Sequence, residues 1–278
     1  MAKILVTGAD GMLGQDLCPI LEKYNYNVIK TDIKTLDITD FDTAQTVINA
    51  HSPDMIIHCA AYTNVDKAEE DFETAKLINA SGTENIAKIC ALKNIPILYI
   101  STDYVFDGKK QTPYKPDDNP NPINNYGLTK FYGEKAILKY CSKYFIVRTS
   151  WLYGIYGKNF VETMISLAAK PELKVVNDQT GCPTWTVELS NGIAKLLQNQ
   201  NYGIYHICGS GKATWYEFAK EIFNLCNLKV NLIPCSSIEF PSPAKRPEYS
   251  VMDNSGLCEN WKSSLKKYIE IRERIKNS

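Results

Sequence analysis

Residues 3–24 constrain the fold more than any other stretch. Lys3-Ile4-Leu5-Val6-Thr7 is a short apolar run rich in branched side chains, as expected of a buried parallel strand. Gly8-Ala9-Asp10-Gly11-Met12-Leu13-Gly14 follows at once, and Gln15 to Tyr24 carries a helical period through Leu17, Ile20 and Leu21. Strand, glycine turn and helix in that order make a phosphate cradle. Glycines let the backbone turn tightly and approach a pyrophosphate, and the helix N-terminus offers free N–H groups and the positive end of its dipole. The spacing is G-x-x-G-x-x-G, not G-x-G-x-x-G, so the turn alone also fits an ordinary glycine-rich connection. Tyr26–Asp32 reads as the second strand. Its Asp32 comes 18 residues after Gly14, near the distance at which an acid contacts an adenosine ribose. The plain alternative is an Asp that starts a loop. Asp37 and Ile38 are placed to supply an acid and a backbone amide near adenine.

The alternation continues. Phe41 to Ala50 has helical character, and Asp54–Cys59 is another buried strand ending in Ala60-Ala61-Tyr62-Thr63. Small residues at a strand's C-terminal end suit close approach of a cofactor. Glu69 to Leu92 is helix-rich and holds Asn79 and Asn85. Pro96–Ile100 is a strand ending in Ser101-Thr102-Asp103, and Tyr144–Thr149 is read as the sixth strand, ending at Ser150-Trp151. This pattern predicts an α/β fold, a Rossmann-type doubly wound parallel sheet whose ligands sit beyond the C-terminal strand ends.

After residue 151 the pattern changes. Helices are expected over Asn159–Ala169, Thr186–Gln198 and Thr214–Cys226, the last with Thr214 as N-cap. Strands are expected at Leu173–Val176, Gly203–Ile207 and Val230–Ile233. The Pro-rich loop Pro241–Pro247 carries Lys245 and Arg246; it is an exposed connector or a pyrophosphate contact. The expected division is a dinucleotide-binding domain over 1–150, rejoined by about 186–208. A smaller, discontinuous α/β substrate domain takes most of 151–278.

Composition removes several classes of function. Basic and acidic residues balance at 31 each, so bulk charge favours neither a nucleic-acid nor an anionic-membrane partner. No apolar run reaches the ~20 residues of a membrane span, and MAKILVTGAD lacks a signal-peptide core. Nine scattered cysteines with no C-x-x-C suit reduced thiols in the cytoplasm better than a disulfide framework. His51, His58 and His206 show no ligand spacing, so no metal ligands are expected among them.

Tyr126-Gly127-Leu128-Thr129-Lys130 offers chemistry. On a helix, Tyr126 and Lys130 stand at i and i+4, on one face. An ammonium beside a phenol lowers the phenol's pKa and eases proton exchange with a carbonyl or hydroxyl. Alone, the pair is more often an ordinary surface Tyr and Lys. With the glycine turn, the Asn79-to-Asn85 run and Ser101-Thr102, however, it resembles the extended short-chain dehydrogenase/reductases. The stretches Ser101–Gly108 and Arg148–Gly154, Asp178-Gln179-x-Gly181-x-Pro183-Thr184, and Arg246-Pro247 narrow the resemblance to the dTDP-4-dehydrorhamnose reductase family. They do so in order and over nearly the whole chain.

That resemblance implies reduction of the C4 ketone of dTDP-4-dehydro-6-deoxy-L-mannose to dTDP-L-rhamnose, with NADPH or NADH. It makes Tyr126 the proton donor, places Lys130 on the cofactor ribose and Thr102 on the reacting oxygen, and has Asn79 support the lysine and the cofactor region. Asp103, Tyr104 and Trp151 would line the sugar pocket, and Arg246 would meet the substrate; Trp185, Trp215 and Trp261 have no matched role and are read as structural. Dehydratases of the same superfamily carry an acid after the Asp, where this chain has Tyr104, so the parts for simple reduction remain. A monomer and a homodimer are both open. Some family members dimerise through carboxylates around Mg²⁺, and Asp16 and Glu188 could contribute, but no full ligand set is matched. Two other readings stay open: another sugar-nucleotide reductase or epimerase, and a non-catalytic regulatory subunit that binds nucleotide.

Overall fold

Six parallel strands form the centre of the computed structural model, which describes residues 1–199, 201–254 and 256–276. Five are β1 (Lys3–Thr7), β2 (Asn27–Thr31), β3 (Met55–His58), β4 (Ile97–Thr102) and β5 (Tyr144–Thr149). The sixth is Gly203–His206, and the order across the sheet is Gly203–His206, β5, β4, β3, β1, β2. Tyr144–Thr149 is therefore the fifth strand along the chain. The sixth arrives only after the excursion past residue 151, and it pairs parallel with β5, Ile204 beside Ile146.

Parallel neighbours cannot be joined by a hairpin, so helices carry the crossovers and cover both faces. Helix α1 (Met12–Lys23) links β1 to β2, and α2 (Phe41–His51) links β2 to β3. Side chains alternate across the pleat. Ile4 and Val6 pack with Leu13, Leu17 and Leu21 of α1 and with Leu189 and Ile193 of the helix Thr186–Leu197. Leu5 points the other way, among Ile48, Ile86 and Ile137. The chain leaves β1 for β2 on one side, then crosses to β3 on the other. The crevice between β1 and β3 is thus the topological switch point, where open α/β sheets bind ligands.

The helix-rich stretch 69–92 is not one helix. It breaks into Lys67–Glu70, Phe72–Lys76, a π-helical turn Leu77–Gly82, and Thr83–Lys93. Asp71 leaves the helical conformation and accepts from Thr74 N at 3.1 Å, which restarts the helix. Beyond the sheet, Leu173–Val176 pairs parallel with Leu232–Cys235, two residues later than expected. A separate apolar cluster gathers Tyr153, Trp185, Phe218, Trp261 and Leu265.

One buried ion pair ties the site to this frame. Arg148 on β5 meets Glu134 twice, at 2.9 and 2.8 Å, and both side chains are 1% exposed. Ser101 adds a hydrogen bond to the same carboxylate at 2.6 Å. A bidentate pair with its remaining lone pairs occupied can repay its desolvation. It locks β4, β5 and the helix Asn125–Tyr140 together.

Candidate active site

Gly8 follows β1 with φ +66°, and a Cβ there would lie 2.8 Å from Ala60 Cα. Only glycine lets the ends of β1 and β3 approach so closely. Gly11 then begins α1 with no side-chain cap, leaving the helix's first N–H groups to a ligand. These groups open onto a cavity of about 660 Å³ along the C-terminal strand ends. Gly8, Gly11, Met12, Leu13 and Gly14 line it, with Asp32, Asp37 and Ile38 beyond β2 and Ala60 and Ala61 beyond β3. Thr102, Asp103, Tyr104, Tyr126, Lys130 and Trp151 line the part beyond β4 and β5.

Three of the expected site residues stand outside this lining. Asn79 is fully buried on the π-helical turn, where it accepts from Tyr62 N at 2.8 Å and donates to Tyr62 O and Thr129 Oγ1. Asn79 and Tyr62 therefore brace the wall from behind, tying the end of β3 to the Tyr126 helix. Arg246 lines a second cavity of about 550 Å³ with Lys109, Lys110, Lys212 and Lys245. Its guanidinium pairs with Asp66 at 2.9 Å and also reaches the Tyr104 hydroxyl. Tyr104 and Arg246 thus link the two cavities.

The helix that carries Tyr126 starts at an Asn124 cap, which accepts from Gly127 N at 2.8 Å and donates to Lys245 O. Gly127 has a steric reason: a Cβ there would fall 2.0 Å from the Tyr104 carbonyl oxygen. Without one, the helix drops onto the turn after β4, and Tyr126 meets Tyr104 edge to face at 5.8 Å. Thr102 Oγ1 accepts from Tyr104 N and lies 3.0 Å from Asp103 Oδ1.

The electrostatics correct one expectation. The spacing predicted a phenol acidified by Lys130, yet burial, and next the charge of Asp103, push the Tyr126 pKa up; the Thr102 hydroxyl offsets part of this. Lys130 is 3% exposed, and its ammonium sits 4.2 Å over the Tyr99 ring. Burial lowers Lys130 to about 7, against the raising influence of Glu134. Desolvation favours the lysine's neutral form, which weakens the acidifying field expected at Tyr126. Asp103 is the converse case: burial raises its carboxyl to about 7, only partly opposed by Ser250 and Thr102.

At the opposite end, Asp32 Oδ1 caps its own turn, accepting from Lys34 N, Thr35 N and Thr35 Oγ1 at 3.0–3.1 Å. The Asp10 carboxyl hydrogen-bonds that of Asp32, which lifts the pKa of Asp10 and depresses that of Asp32. Asp37 likewise holds Thr39, with Oδ1 accepting at 2.9 and 2.7 Å.

Sequence reasoning missed Asp10, and it missed Trp215, which lines the cavity and stacks on Trp151 at 3.5 Å and 5°. Trp151 adopts φ +47°, a strained geometry that a bulky residue keeps only where its surroundings enforce it. No spacing signal marks Trp215; its contact arises only when the excursion past residue 151 folds back. As for a metal, Asp16 accepts a short hydrogen bond from Thr186, and Glu188 accepts from Glu259 N at 3.4 Å. Among the described residues, no three His, Cys, Asp or Glu side chains converge to hold a cation.

A single cavity runs from a dinucleotide-type turn to a buried phenol. This places the protein among the extended short-chain dehydrogenase/reductases. Comparison with known proteins narrows the class. Residues 2–277 match the family described as RmlD substrate binding domain. A spore coat polysaccharide biosynthesis protein of Bacillus subtilis, SpsK, is 38% identical over 98% of both chains. A dTDP-4-keto-6-deoxy-D-glucose reductase of Streptomyces niveus is 40% identical over 92% of this chain and 90% of its own. The crystal structure of dTDP-4-dehydrorhamnose reductase from Bacillus anthracis in complex with NADP superposes with a TM-score of 0.94 at 43% identity, covering 98% of this chain and all of the other. The chain belongs to the dTDP-4-dehydrorhamnose reductase family.

Proposed function

We propose that the protein reduces the C4 ketone of dTDP-4-dehydro-6-deoxy-L-mannose to dTDP-L-rhamnose with NADPH or NADH. The observation that carries this reading is the one cavity shared by the Gly8–Gly14 turn, Thr102, Tyr126 and Lys130. On this reading residues 1–150, with 186–208, hold the cofactor, and most of 151–278 holds the sugar. The reduced nicotinamide, when bound, supplies the hydride. Tyr126 gives its proton to the C4 oxygen, Thr102 hydrogen-bonds that oxygen, and Lys130 holds ribose hydroxyls. A phenol kept neutral by burial is suited to donate once an alkoxide, a far stronger base, forms beside it. Trp151, on its Trp215 partner, and Tyr104 present aromatic surface to the apolar C6 methyl. A 6-hydroxyl there would cost ~1–3 kcal/mol if buried without a partner. Lys245 and Arg246 meet the nucleotide diphosphate, whose remote binding energy orients the ketone.

The test couples the purified protein to a dTDP-glucose dehydratase and a 3,5-epimerase and follows absorbance of the reduced cofactor. Turnover should require every component. A second reading has its own support in the Streptomyces niveus relative, whose name specifies a D-configured keto-sugar. Equally fast turnover without the epimerase would select it. Nucleotide binding without turnover in any mixture would instead mark a regulatory subunit.

A further inference from the structure

Asp103 is 2% exposed, it lines the cavity, and among the described residues its Oδ2 has no partner within hydrogen-bond distance. Its other oxygen lies 3.0 Å from Thr102 Oγ1. Thr102 also accepts the Tyr104 N–H at 3.2 Å, and its hydroxyl neighbours the Tyr126 phenol. A hydroxyl has one proton and two lone pairs, so these contacts can be counted through. If Asp103 is ionised, the Thr102 proton is drawn to it, one lone pair takes the Tyr104 N–H, and the remaining lone pair faces the substrate oxygen. That lone pair can accept from the Tyr126 hydroxyl, and Thr102 has no proton left for the substrate oxygen. If Asp103 is protonated, its O–H donates to Thr102. Both Thr102 lone pairs are then filled, and the Thr102 proton is free to point into the cavity.

We infer that Asp103 works in its protonated form as a positioning residue, holding the Thr102 hydroxyl as a donor toward the sugar oxygen that gains charge during reduction. The inference rests on the proposed reduction. Hydride arrival at C4 places an electron pair on the oxygen, Tyr126 transfers a proton to it, and Asp103 keeps its own proton throughout. The surroundings favour the neutral acid. Tyr104, Tyr126, Cys208 and Ser250 face the carboxyl. Among the described residues it has no ion-pair partner, and Arg246 is engaged by Asp66 and Tyr104.

The experiment compares the pH profiles of kcat/KM for wild type and Asp103→Asn with saturating cofactor. Above about pH 7, wild type should lose roughly tenfold per unit, as one ionisation dictates. The Asn amide donates to Thr102 at every pH, so the variant should stay flat. Between about pH 6 and pH 9 it should therefore hold its rate roughly a hundredfold better than wild type. An alkaline limb that survives unchanged in Asp103→Asn belongs to Lys130 and overturns the inference. A second measurement needs no substrate: the ¹³C carboxyl resonance of Asp103, assigned through its own backbone, should titrate near neutrality. A carboxyl already ionised at pH 5 overturns the inference whatever the turnover. Absence of wild-type turnover counts against the reduction itself, and the resonance still decides the protonation of Asp103.

Discussion

Tyr126 is a phenol held neutral chiefly by burial. On the proposed reading its acidity matters only when the alkoxide forms, so its removal should fall on the chemical step. Tyr126→Phe is expected to lower kcat by ~10²–10⁴, the usual worth of a positioned acid, with cofactor KM little changed. Near wild-type turnover would remove Tyr126 from the mechanism. The Asp10–Asp32 contact bears on the cofactor. On the proposed reading, two carboxylates beside the adenosine ribose accept from a 2′-OH and repel a 2′-phosphate, while Lys34 nearby offsets part of that repulsion. Both cofactors should serve, with a preference under about a hundredfold. Asp32→Ala and Asp10→Asn should each raise the NADPH-to-NADH ratio of kcat/KM by roughly two- to fivefold, as expected of exposed charges. A ratio that does not move would place the ribose elsewhere. Asp32 was legible from its distance to the glycine turn. Asp10 was not, because only the fold of the turn brings it against Asp32.

The helix Asn125–Tyr140 delivers both Tyr126 and Lys130, and its height over the sheet is set by what is missing from Gly127. In Gly127→Ala, a Cβ 2.0 Å from the Tyr104 carbonyl oxygen must lift the first turn of the helix. Buried backbone cannot yield as a surface side chain would. We expect a folded protein with kcat reduced by roughly 10²-fold, the scale at which an ångström of misplacement costs positioning. A fully active Gly127→Ala enzyme would show that the close approach does not position Tyr126. Element by element, legibility followed burial on both faces. The strands at Lys3, Asp54 and Pro96 are continuous apolar runs that fit little else. The π-helical turn at Leu77–Gly82 leaves no periodic trace, since one widened turn shifts the helical phase without changing composition. The helix Trp261–Lys276 was not foreseen, being rich in charge. It buries a narrow stripe through Trp261, Leu265, Tyr268, Ile269 and Arg272.

Across the whole molecule the strand–helix alternation was readable because each crossover repeats one pattern. The meeting of distant segments was not: Trp151 with Trp215, Arg246 with Asp66, and His206 with Tyr114 depend on how the excursion past residue 151 returns. Folding also buries titratable groups and so makes stability depend on pH. His58 is fully buried between Thr7 Oγ1 and Thr83 Oγ1, at 2.7 and 3.1 Å. His206 has Tyr114 O at 3.0 Å on one ring nitrogen and the Arg148 guanidinium 3.5 Å from the other. Desolvation lowers both to about 3. Between about pH 6.5 and pH 3 the unfolded chain therefore binds protons at both histidines that the folded protein refuses, and stability falls as pH falls. Asp103 acts oppositely, because its raised pKa means the folded state holds a proton that the unfolded state releases between about 3.8 and 7. For these three groups alone, two histidines against one aspartate leave a net uptake of one proton on unfolding. That is a loss of about 1.4 kcal/mol per pH unit, or roughly 3 kcal/mol between pH 6.5 and 4.5. Asp103→Asn removes the opposing group, so its stability should fall about twice as steeply over the same window. Urea unfolding at a series of pH values, for wild type and the variant, measures both slopes. Equal slopes would mean that Asp103 is already ionised in the folded protein across this range.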